Sequence, residues 1–66
     1  MAVARVTHVI ASSPNSFHEA INEGLDRAKR TIHGIIGLEI LDHKCKVEDG
    51  KISEYRVEMN ATFILD

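Results

Sequence analysis

The sequence predicts an α+β fold with the order strand, helix, strand, strand (βαββ), a single domain over residues 1–66. Three observations carry that prediction. A segment rich in Val, Thr and Ile stops at a Ser-Ser-Pro-Asn cluster, one apolar stripe follows a 3.6-residue period, and an Asp-Gly pair separates two long apolar-rich runs.

Strand one runs from Val3 to Ala11 and is closed by Ser12-Ser13-Pro14-Asn15. From Phe17 the apolar positions Phe17, Ala20, Ile21, Leu25, Ala28 and Ile32 line one side of a helix, with Gly24 in the stripe. Ser16 with Glu19 forms a capping box, and Ser13 with Pro14 as first helical residue is a competing start. Glu23 with Arg27 and Asp26 with Arg30 are spaced for ion pairs on the solvent side. Gly34 is the expected left-handed stop after His33.

Ile36–Val47 and Ile52–Leu65 then flank Glu48-Asp49-Gly50-Lys51, and with Asp49 and Gly50 as the loop, Lys44 faces Tyr55, Ile40 faces Met59 and Ile36 faces Phe63. One sheet face collects Ile36, Leu38, Ile40, Tyr55, Val57, Met59, Ala61, Phe63 and Leu65, which the helix must cover. The other collects Gly37, Glu39, Leu41, His43, Cys45, Val47, Ile52, Glu54, Arg56, Glu58, Asn60 and Thr62. The third strand is expected at the centre, antiparallel to both others, in a three-stranded sheet wrapped on one helix.

A chain this short buries only about 60% of its unfolded surface, so a lone core barely suffices. Cys45 is the only cysteine, which excludes an intrachain disulfide, and the four histidines His8, His18, His33 and His43 show no zinc spacing. Self-association is left as the support, and Leu41, Val47 and Ile52 on the uncovered face agree with it. A net charge of -2 with no Trp and three aromatic residues argues against nucleic acid as a partner. No apolar run approaches the twenty residues a membrane span needs and no signal segment is visible, so the expectation is a soluble, cytoplasmic protein with no membrane partner. No nucleophile, base and orienting group stand at a readable spacing, so no enzyme is expected.

Several strings resemble the dodecin family across essentially the whole chain: the early Val-rich strand, Ser12-Ser13-Pro14, Ala28-Lys29-Arg30-Thr31-Ile32, Tyr55-Arg56-Val57-Glu58 and Ala61-Thr62-Phe63. The resemblance implies a βαββ subunit in a hollow homododecamer of four trimers that binds and buffers flavin (FMN or riboflavin) without redox catalysis. In that family paired isoalloxazine rings lie near twofold axes, stacked by a tryptophan and hydrogen-bonded by a glutamine. The Ile35-Ile36-Gly37-Leu38-Glu39 string puts Gly37 at the tryptophan and Tyr55-Arg56 puts Arg56 at the glutamine, so both contacts have departed. Ring stacking is worth about 1 to 3 kcal/mol per aromatic partner, so flavin binding is expected to be weakened or lost. A remnant site would use Gly37 and Arg56, with Leu41 and Val47 as an apolar floor.

The same face holds Glu39, Glu58 and Asn60 close together, oxygen ligands of the kind calcium or magnesium takes; family members lacking the tryptophan include some described as cation-binding. No Asp-x-Asp-x-Asp loop supports the site, and an ion-pair network of Glu39, Arg56 and Glu58 between subunits is the competing expectation. His43 and Cys45, two residues apart, form a candidate soft-metal corner without a second thiol.

Overall fold

The computed structural model describes residues 3–65. β1 (Val3–Ser13), α1 (Phe17–Ala28), β2 (Ile35–Glu48) and β3 (Lys51–Leu65) follow in the expected order. The sheet order is β1-β3-β2 with both pairings antiparallel, so β3 is the central strand. β1 runs two residues past Ala11, because Ser12 and Ser13 stay in register opposite Arg56 and Tyr55.

Ser16 is the helix N-cap: its hydroxyl accepts the Glu19 backbone N–H at 3.0 Å. The competing Ser13 acts one step earlier. Its hydroxyl donates to Glu19 Oε2 at 2.8 Å and accepts from the Asn15 N–H at 3.0 Å, so both serines act on the same glutamate. The Ser13 hydroxyl first and Asn15 second hold the Glu19 carboxyl below the usual carboxylate range.

The helix ends at Ala28 with Lys29 as C-cap, well short of the expected stop at Gly34. Beyond Lys29 the bonds tighten: Arg30 N–H reaches the Arg27 carbonyl, and both Thr31 and Ile32 N–H groups converge on the Ala28 carbonyl. The paired β-branched Thr31 and Ile32 favour leaving the helix there. Gly34 does take the left-handed conformation at φ 77, but as the entry to β2, where its carbonyl accepts the Ile64 N–H at 3.1 Å. A Cβ at Gly34 would stand 3.3 Å from the Ile64 carbonyl oxygen, so geometry and space both require glycine.

Asp49 (φ 51) and Gly50 (φ 75) form the turn, both left-handed as a two-residue hairpin of the primed type demands, with Glu48 opposite Lys51. Ile40 opposite Met59 is also as expected. Between these two points the register is shifted. Ser53 is an extra residue on β3 near the turn and Leu41 an extra residue on β2, so from Asp42 to Lys46 every β2 side chain is displaced by one partner. Lys44 therefore faces Arg56 instead of Tyr55, and Cys45 faces Tyr55. A third bulge at Ile36 sets Ile35, not Ile36, opposite Phe63 and leaves Ile36 66% exposed.

The core is small. Ala20, Val57, Met59 and Ala61 are fully buried, with Val9, Ala11, Phe17, Ile21, Leu38 and Ile40 packed around Ala20, Val57 and Met59. The helix lies over β1 and β3 and comes closest at Gly24, where a Cβ would collide with the Met59 methyl and approach Ala11 Cβ to 3.0 Å. Phe17 closes one end of this core, edge-on to Tyr55 at 5.0 Å and to His43 at 4.8 Å.

Alanine at position 24 gains about 0.8–1 kcal/mol of helix propensity but overpacks the core at a cost of about 1–3 kcal/mol. Urea unfolding should show Gly24→Ala as destabilising by about 1 kcal/mol, and as neutral or stabilising in a Met59→Ala background. The lowered Glu19 pKa contributes stability that is present above the unfolded carboxylate value and lost as pH falls through the folded value. Ser13→Ala should therefore lower the melting temperature at neutral pH and shallow its decline below pH 4.5, read by thermal melts across that range.

Candidate functional site

The sheet face away from the helix is ordered in rows set by the β3 register. Val6, Thr62 and Gly37 form one row; His8, Asn60 and Glu39 the next; Ile10, Glu58 and Asp42 a third; Ser12, Arg56 and Lys44 a fourth. Beyond the end of β1, Glu54 pairs with Lys46 and Ile52 with Val47. Val6 and Ile10, 58% and 59% exposed, are the apolar members of these rows, whereas the Leu41 and Ser53 bulges put Val47 and Ile52, 61% and 51% exposed, on the opposite side of the sheet from where the sequence expects them.

Gly37 and Arg56 do share this face. Their β3 rows lie six residues apart, about 20 Å at a strand rise of about 3.4 Å, so one chain cannot place both against one ring. Nothing stands within 4 Å of where a Gly37 Cβ would be, and its φ is outside the left-handed region. The two proposed floor residues are also separated: Leu41 is the extra residue of a β2 bulge, and Val47 is at the hairpin end. Arg56 instead borders a depression of ≈ 460 Å³ with Lys44, Lys46 and Glu54. Its Nη2 donates to Glu54 Oε2 at 3.1 Å. The Ser12 hydroxyl first, with Arg56 adding, holds Glu54 below the usual carboxylate range against partial desolvation.

Glu39, Asn60 and Glu58 are adjacent as the sequence predicts. Asn60 Nδ2 donates to Glu39 Oε1 at 3.4 Å, and Asn60 Oδ1 lies 3.1 Å from His8 Nδ1. The other imidazole nitrogen of His8 is 3.3 Å from Glu58 Oε2, and Lys44 Nζ is 3.6 Å from Glu58 Oε1 and 3.8 Å from Asp42. The basic side chains beside Glu58 within this chain are therefore His8 and Lys44, while Arg56 serves Glu54. Lys44 was hidden from sequence reasoning because the Leu41 bulge alone turns it onto this face; His8 was accessible by registering β1 against β3, where Asn60 is its partner. The same bulge moves His43 and Cys45 to the helix side, opposite Val57 and Tyr55, so no soft-metal corner forms on the open face. Among the described residues no group of three or more His, Cys, Asp or Glu side chains is arranged to hold a metal ion. Nor is any helix among them long and apolar enough to cross a membrane.

A short helix laid on two strands of a three-stranded antiparallel sheet, with an open face of mostly polar rows, defines a small α+β protein of βαββ order. The family model Dodecin matches residues 3–66, and the chain belongs to the dodecin family. It is similar in structure to a dodecin from Streptomyces davaonensis at TM-score 0.94 and 32% identity, over 98% of this chain and 96% of that one. A dodecin from Streptomyces coelicolor aligns at TM-score 0.94 and 26% identity over 98% and 93%. A calcium dodecin from Mycobacterium tuberculosis, described as a calcium-chelating immunodominant antigen with a novel calcium-binding site, aligns at TM-score 0.83 and 28% identity over 97% and 91%. A search of curated proteins gives no match.

Proposed function

We propose that the chain is a non-catalytic dodecin that assembles into a hollow homododecamer of four trimers and binds or stores a small ligand there, with flavin binding weakened or lost. The observation that carries this reading is the open space at Gly37, where no neighbouring side chain substitutes for a stacking ring. Exposed apolar residues on both sides of the sheet, Val6 and Ile10 on one and Val47 and Ile52 on the other, over a core with four fully buried apolar residues, support assembly. Losing one stacked aromatic costs about 1 to 3 kcal/mol, one to two decades of affinity.

A titration of FMN or riboflavin followed by fluorescence quenching tests it. The wild type should bind only at high micromolar protein or not at all. Gly37→Trp, which meets neither a clash nor a strained backbone, should tighten binding at least about tenfold. Wild-type quenching as strong as that of the tryptophan variant would sink the weakened-flavin reading, and a stable monomer in light scattering would sink the assembly.

A second reading is favoured by the adjacency of Glu39, Asn60 and Glu58 together with the calcium-chelating relative. Their oxygens suit calcium or magnesium in kind but fall short of the six to eight that calcium takes, and Glu58 already faces His8 and Lys44. A second copy or water would complete the shell. Calcium or magnesium at a hundred times its dissociation constant should then stabilise by about 2.7 kcal/mol per site. Melting temperatures that coincide with cation and with chelator would remove this reading.

A further inference from the structure

We draw no further inference here: the strongest candidate, the depression of ≈ 460 Å³ at the hairpin end of the open sheet face lined by Lys44, Lys46, Glu54 and Arg56, belongs to the ligand site already described, and each of its basic side chains already faces a carboxylate of this chain.

Discussion

One extra residue, Leu41, determines what the open face of this protein is. Because a strand's side chains alternate, a single inserted position exchanges inside for outside over the stretch that follows. The exchange sets Asp42, Lys44 and Lys46 across from Glu58, Arg56 and Glu54, three charged rungs in succession. Without it His43 and Cys45 would occupy those places, Phe17 would lose its edge-on imidazole, and Glu58 would lose its lysine.

The second constraint is how little the helix covers. It ends at Ala28, lies on β1 and β3, and leaves the β2 margin half-buried at Leu38 and Ile40. The molecule is consequently a slab of 52 × 19 × 13 Å rather than a sphere. Such a shape has a poor ratio of interior to surface, so intrachain packing at Met59 and Gly24 secures the fold while Val6, Ile10, Ile36, Val47 and Ile52 stay more than half exposed. These exposed valines and isoleucines are the surface that the assembly proposed above would cover.

Most of the topology was legible. Asp49-Gly50 announced the turn, the apolar stripe announced the helix, and the pairings of Ile40 with Met59 and Glu39 with Asn60 follow from the turn alone. They were right for a partly accidental reason: the extra residue on β3 at Ser53 and the one on β2 at Leu41 offset each other, so the register is restored beyond both. Neither bulge carries a glycine or another residue that marks it, and for that reason the stretch between them was misread. The helix end was missed because Gly34 is a sound left-handed signal that serves a different purpose, admitting β2 beside Ile64. At the candidate site, Glu39, Asn60 and Glu58 were readable from β2 and β3; their neighbours His8 and Lys44 depended on β1 and on the bulge.

The hairpin projects past the last β1 rung at Ser13 and Tyr55, and its final rungs, Val47 with Ile52 and Glu48 with Lys51, have no β1 partner. Adding or removing one residue on each arm there would preserve the parity of everything nearer the core, whereas a lone insertion would invert it. Related chains can thus vary in reach by paired steps at this tip while the charged rows around Glu58 stay in place, a kind of length tolerance that the rest of the sheet does not possess.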